Sequence, residues 1–246
     1  MKSLRFTLSG PAACFRQPDV NAKVYFTYNN IHKVALLGLL GAVVGLKGYD
    51  NSRINDGDEG VYPEFYEKLS PMLVSVVPNG KKGYFTKKIQ YFNNSVGYAS
   101  KEQGGILQVR EQWLENPSWT IFLMQHELED ALWERLCSNF LRGECVFIPY
   151  LGRNDFPAQI ENVQMVELTP SKEAHIHSLF LYDGDLKMLD EGGPSQYLFV
   201  ETAPIGLVPV HNFYEFGRYV FTNGAIPEKS LPSHLYTDGE RQYSFY

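Results

Sequence analysis

Residues 27–49, TYNNIHKVALLGLLGAVVGLKGY, combine two demands that few folds satisfy together. Ten apolar residues between Val34 and Leu46 require a buried helix, yet Gly38, Gly41 and Gly45 lower its helix propensity and therefore need a packing reason. Asn29 or Asn30 is expected to cap the helix by accepting a backbone amide proton, and Lys47-Gly48 to end it after about Leu46. With His32 and Lys33 at its start, the helix can offer exposed amides and a full positive charge to a phosphate. It suits equally a buried helix whose glycines relieve crowding against a sheet.

Charge sharpens the first reading. The chain has 246 residues and a formal net charge of −6, which argues against nonspecific coating of nucleic acid. The distribution is uneven. Residues 1–47 hold six bases against one acid and residues 81–110 again six against one, whereas residues 111–246 hold eight bases and twenty acids. Such asymmetry can place a polyanion in one basic groove while the acidic remainder faces water or protein partners. The longest apolar run, residues 34–46, is shorter than the roughly 20 residues a membrane helix needs and is interrupted by glycine. The start, MKSLRFTLSG, alternates like a strand and lacks a signal-peptide core, so export is not expected. Cys14, Cys137 and Cys145 are odd in number and scattered, which fits a reducing compartment and offers no zinc spacing.

Residues 3–9 alternate and stop at Gly10-Pro11, predicting a first strand that buries Leu4, Phe6 and Leu8. After the glycine-bearing helix come a polar excursion over 50–63, a short helix near Pro63 to Leu69, a strand at Val74 to Val77, and a long basic, aromatic arm. That arm, about 80–105, reads as a hairpin able to lie along a phosphate chain, with Lys87, Lys88, Tyr91 and Phe92 as its candidate contacts. Strands at Ile106 to Arg110 and Ser118 to Met124 return to the core, His126 to Phe140 read as a second helix, and Cys145 to Tyr150 as another strand. The order is that of a split βαβ ferredoxin-like layer: helices on one sheet face, the other free for ligand. The fold class is thus α+β, with a unit over 1–160 and a β-rich C-terminal region over 161–246 packed on it.

Three ordered segments, LSGPAACFR, TYNNIHKVALLGLLGAVVGL and PYLGRNDFPAQI, closely resemble the Cas five family of the RAMP superfamily, in its type I-B form. Members are the CRISPR-associated Cascade subunits that hold the 5′ end of crRNA. The resemblance implies a modified ferredoxin-like or RNA-recognition fold with a long β-hairpin thumb, here around Lys81 to Gly105. It implies a non-catalytic subunit that caps the crRNA 5′ handle, joins the RNA-bearing backbone to the large subunit near target DNA, works in the cytoplasm, and uses no cofactor, metal or membrane. On this chain it points to Arg16, Tyr28, His32 and Lys33 for the handle, although a neutral His32 also suits capping or supporting their loop. Gly152 allows close backbone approach, and Arg153, held by Asp155, grips a phosphate or an acidic neighbour. A surface turn closed by an internal ion pair explains the same residues.

Two other functions stay open. Relatives of the type I-C branch cut precursor crRNA without metal, and Tyr28, His32 and Lys33 are the residue types such a cut requires. A mainly protein-contacting adaptor is the second. A metal nuclease is not supported: Asp56, Asp58 and Glu59 match no calcium loop, and His175-x-His177 supplies two ligands at most.

Overall fold

The computed structural model describes residues 1–18, 23–49, 62–93, 97, 101, 103, 108–189, 195–209 and 211–246. Strands β1 (Lys2–Ser9), β3 (Leu73–Pro78), β6 (Ser118–Met124) and β7 (Gln159–Glu167) form an antiparallel sheet in the order β3-β6-β1-β7. Helix α1 (Lys33–Val44) connects the first of these to the second, and α3 (Asp130–Arg142) the third to the fourth. Two βαβ units interleaved in this way give the ferredoxin-like layer. Period-2 alternation places Leu4, Phe6 and Leu8 on the helix-covered face, all fully buried, with the Phe6 ring 4.6 Å from that of Phe140 on α3.

α1 is apolar on every side because it is covered on every side. The sheet lies under it, β10 (Leu198–Leu207) packs along it, and helix α2 (Glu64–Leu69) crosses it. At that crossing a Cβ on Gly41 would stand 2.6 Å from the Phe65 Cβ, and one on Gly38 3.8 Å from the Phe65 ring. Close helix approach is the packing reason the sequence demanded. Gly45 has another role. It adopts the left-handed conformation at φ 76° and ends the helix, while the Leu46 N–H closes onto the Gly41 carbonyl at 2.8 Å, so the helix stops before Lys47-Gly48. The cap is His32, whose Nδ1 accepts the Ala35 N–H at 3.2 Å, rather than either asparagine.

Between β3 and β6 the chain makes a second antiparallel pair, β4 (Lys87–Asn93) with β5 (Gln108–Glu115), extended by β2 (Ala12–Ala13) into a three-stranded sheet. This is the expected hairpin. Its returning strand reaches to Glu115, beyond the expected limit of Gly105, and residues 94–96, 98–100, 102 and 104–107 lie outside the described residues, as does the 50–61 part of the predicted polar excursion.

Beyond Glu167 the chain adds β8 (Thr169–Pro170), β9 (Phe180–Leu181), β11 (Tyr214–Thr222), β12 (Leu235–Thr237) and β13 (Gln242–Ser244), in sheets ordered β10-β11-β9 and β13-β12-β8. Four expectations need correction. The division at residue 160 falls inside β7, which pairs with β1 and belongs to the first layer. The second helix starts at Asp130, because the chain bends through Glu127 at positive φ. Cys145 to Tyr150 form no strand: the Val146 and Phe147 amides instead donate to the last carbonyls of α1, Val43 and Ala42. The sheet face expected to be free is partly covered, since Tyr243 and Phe245 pack onto Phe122, Leu73 and Val77, with the Phe122 and Tyr243 rings 4.3 Å apart.

Candidate nucleic-acid interface

The hairpin has two different faces, and the strand register separates them. Lys87 lies opposite Leu114, Ile89 opposite Gln112 and Tyr91 opposite Arg110; the alternate set pairs Lys88 with Trp113, Gln90 with Glu111 and Phe92 with Val109. Opposed residues share a face and successive residues alternate. The four expected arm contacts therefore split, Lys87 and Tyr91 on one side, Lys88 and Phe92 on the other.

The first face is open. Tyr91 is 69% exposed and Ile89 42%. The Arg110 guanidinium sits 5.2 Å from the Tyr91 ring centroid, a cation–π pair presenting one aromatic plane and one charge to solvent. Lys87 stands at the base of this face, its ammonium donating to the Thr27 carbonyl at 3.4 Å. Burial lowers its pKa, and Glu201 on β10 works against that shift. The Glu201 carboxylate accepts the backbone N–H groups of Asn29 at 2.7 Å and Asn30 at 3.3 Å. The Asn29 side chain continues the junction, donating to the Gly83 carbonyl at 2.7 Å and accepting the Phe85 N–H at 3.3 Å, while the Asn30 side-chain carbonyl accepts the buried Trp119 indole N–H at 3.0 Å. Both asparagines are thus occupied in tying the hairpin base to the C-terminal sheet, which is why neither caps α1.

The second face is anchored. Arg153 donates from Nη1 to Glu111 Oε2 at 2.5 Å and from Nη2 to Asp155 Oδ2 at 2.8 Å, and the same Glu111 oxygen accepts the Trp113 indole N–H at 2.7 Å. The guanidinium lies 5.3 to 5.8 Å from the ring centroids of Phe92, Trp113 and Phe156. Both amino ends of its fork are held by carboxylates, so Arg153 is an internal strut here. The internal ion pair describes it better than a phosphate grip. Gly152 makes the strut possible. At φ 81° its missing Cβ would stand 1.9 Å from the Cys14 carbonyl oxygen, and the Cys14 N–H donates to the Leu151 carbonyl at 3.0 Å. Cys14 is buried in this clasp, and burial, aided by Glu111, pushes its thiol up to about 12.

The remaining expected contacts divide by exposure. Arg16 is exposed, with its guanidinium 3.5 Å over the Tyr25 ring. Tyr25 is fixed in turn by β5, donating its N–H to the Arg110 carbonyl at 2.9 Å and accepting the Gln112 N–H at 2.8 Å. Tyr28 is 3% exposed and stacks edge-on against His32, so it belongs to the core and offers no face to a ligand. His32 is enclosed by Phe15, Tyr28 and Tyr214, and burial pushes its pKa down to about 3. It is a neutral cap. Lys33 is half-buried, and burial brings its pKa down to about 8, leaving it mostly protonated at neutral pH. Lys88 is exposed 3.9 Å from Glu115, and Phe92 is held in the Arg153 cluster.

Sequence reasoning missed Tyr25, Arg110, Glu111, Trp113 and Glu201. Arg110 lay in the basic run, but its pairing with Tyr91 depends on register. Glu201 carried no local signal. Among the described residues no group of three His, Cys, Asp or Glu side chains could hold one metal ion, and no helix is long and apolar enough to cross a membrane; Asp56, Asp58 and Glu59 lie outside those residues.

A chain described as a CRISPR RNA-guided surveillance complex is similar over 93% of this chain and 92% of its own, with a TM-score of 0.52 at 13% identity. A CRISPR protein from Archaeoglobus fulgidus is similar over 99% and 98%, with a TM-score of 0.47 at 10% identity. Likeness at such identity concerns the fold. No curated protein sequence matches the chain. The family profile described as CRISPR-associated protein (Cas_Cas5) matches residues 3–199, most of the length, and the chain belongs to that family.

Proposed function

We propose that this chain is a non-catalytic, RNA-binding subunit of a CRISPR RNA-guided surveillance complex, of the type I-B kind and cytoplasmic. In this reading it holds the 5′ handle of crRNA on the open hairpin face and caps the RNA-bearing backbone beside the large subunit, near target DNA. One observation carries it. The open face sets Tyr91 and Arg110 side by side, with Lys87 at its base, on a hairpin whose other face is fixed to the body. Single-stranded RNA is recognised by stacking unpaired bases on aromatic rings while cations neutralise phosphates. The Arg16–Tyr25 stack repeats the same pairing of ring and guanidinium at the β5 edge.

Against an endoribonuclease built on Tyr28, His32 and Lys33 stands the burial of its acid–base groups. His32 is walled in by three rings, and its Nδ1 is committed to the Ala35 amide. A protein-docking role in the same complex has its own support: Val146, Phe147, Ile148 and Tyr150 are 48% to 74% exposed on a strip pinned to the end of α1, an apolar surface of the kind that partner proteins cover.

The test is binding of handle-containing and scrambled RNA to the purified assembly with and without this chain, over a range of salt. Handle RNA held more tightly only when the chain is present, with affinity falling as salt rises, supports the reading. Equal affinity in all arms overturns it, and metal-independent cleavage of precursor crRNA that Lys33→Ala abolishes replaces it with the enzymatic one.

A further inference from the structure

A cleft of about 410 Å³ lies on the other side of the molecule's β3 edge, between that strand and the C-terminal sheets. Its volume falls in the range of small-molecule sites, roughly 300–1,000 Å³. Three basic side chains line it, His175, His177 and Arg241, together with Tyr197 and Phe221. Nothing assigned so far uses them, and Phe221 and Arg241 lie beyond the residues that match the family profile.

The polar groups are arranged as donors. The Gln242 N–H donates to His177 Nδ1 at 3.1 Å, which fixes the tautomer and leaves Nε2–H as the ring's remaining donor, even in the neutral state. Arg241 is exposed, and among the described residues its guanidinium has no carboxylate partner. Two acids of these segments are occupied: Asp238 accepts the Tyr243 hydroxyl at 2.7 Å and the backbone N–H groups of Glu240 and Arg241, and Glu173 accepts the Gln242 side-chain amide at 3.1 Å. Two imidazoles and a guanidinium therefore line a cleft that has no carboxylate in its wall; Asp238 acts on His177 electrostatically, but its own oxygens are hydrogen-bonded elsewhere, and the lining is the donor set of a phosphate site.

The apolar part has a shape to match. The half-buried Tyr197 ring lies 5.5 Å from the buried Phe221 ring. Asn223 fixes the backbone that carries Tyr197, accepting its N–H at 2.9 Å and donating to the Ser195 carbonyl at 3.3 Å. A held aromatic ring beside a cationic donor set suits a base with its phosphate attached.

We propose that this cleft binds one nucleotide unit, its phosphate on Arg241, His175 and His177 and its base against Tyr197. The choice of a nucleotide over other phosphate esters rests on the RNA-binding reading above, whereas the anion-binding geometry does not. It is a second site, separate in residues from the hairpin face.

The test titrates the full chain with AMP, UMP and inorganic phosphate while following the histidine ring signals by NMR. The expected result is that AMP and UMP move the His175 and His177 signals at lower concentration than inorganic phosphate. Arg241→Gln, an exposed change, weakens nucleotide binding at least tenfold, and Tyr197→Leu removes the advantage of nucleotide over phosphate while Tyr197→Phe keeps it. A double Tyr91→Ala/Arg110→Ala chain, impaired for handle RNA, binds AMP unchanged. Unmoved histidine signals, undiminished binding by Arg241→Gln, or inorganic phosphate equal to AMP in the unmodified chain each overturn the proposal. If handle RNA fails to bind the assembly while AMP still titrates His175 and His177, the functional reading fails and this site stands.

Discussion

The two faces of the β4–β5 hairpin are built from similar residue types and are used in opposite ways. On one, Arg110 and Tyr91 pair in solvent. On the other, Arg153 reaches in from a separate loop, spends its charge on Glu111 and Asp155, and gathers Phe92, Trp113 and Phe156 around it. An arginine among aromatic rings is therefore no sign of a ligand site until its partners are known. With internal carboxylates it is architecture; without them it is available surface.

Breaking the anchored face has the largest expected effect. Arg153→Ala leaves Glu111, 5% exposed, as a buried charge without its partner, and should cost about 3–5 kcal/mol in urea unfolding. Arg153→Lys should recover only part of this, because one ammonium cannot span Glu111 and Asp155 as the fork does. A loss below about 1 kcal/mol for the alanine variant would show that the strut is dispensable.

The open face should behave inversely. Tyr91→Ala/Arg110→Ala should change stability by less than about 0.5 kcal/mol. Handle-RNA affinity should fall by about 2–3 kcal/mol, through a lost stacking platform and a lost phosphate contact that also lowers the salt slope by about 0.7. Unchanged affinity would deny that this face is the one that meets RNA.

His32 offers a sharper separation through pH. Its folded pKa lies near 3, below the usual 6.5, so below pH 6.5 the unfolded chain takes up the proton more readily. The stability this represents is intact above pH 6.5 and lost as pH falls toward 3. His32→Asn keeps a capping acceptor without titrating, so between pH 7 and 5 it should lose about 2 kcal/mol less than the unmodified chain. Parallel pH curves for the two proteins would contradict the buried-cap assignment. The smallest effect belongs to Lys88→Ala. On the anchored side and paired only loosely with Glu115, it should alter neither unfolding nor RNA affinity by more than about 0.5 kcal/mol, and a loss matching that of Lys87→Ala would erase the distinction between faces.

How far the sequence revealed this follows from what each element depends on. β1, α1, β3 and β6 were legible because one face or stripe is buried and the periodicity records it, down to the pairing of Gly38 and Gly41 on one side of α1. The hairpin was legible as an element, but its faces were not: a slip of one residue between β4 and β5 would exchange Tyr91 for Phe92 at the surface, and nothing local fixes that register. Tyr28 and Arg16 both looked like ligand contacts in a basic, aromatic stretch, yet Tyr28 is buried against His32 while Arg16 stays exposed, a difference the local sequence does not record. Cys145 to Tyr150 misled through composition. The run is β-branched and aromatic like a strand, but its amides end a helix and its side chains stand in solvent.

The clasp at the hairpin base also sets an order of events during synthesis. Glu111 leaves the ribosome 42 residues before the arginine that fixes it, and the Asn29 amide waits 172 residues for Glu201. Local pairing can form β4–β5 early, with β2 and Tyr25 already available to join β5, but the anchored face closes only when the later residues arrive. Until then the hairpin is held through β2 and Tyr25, and a nascent chain that has passed residue 124 but not 153 carries Tyr91 and Arg110 on a hairpin that still lacks its strut.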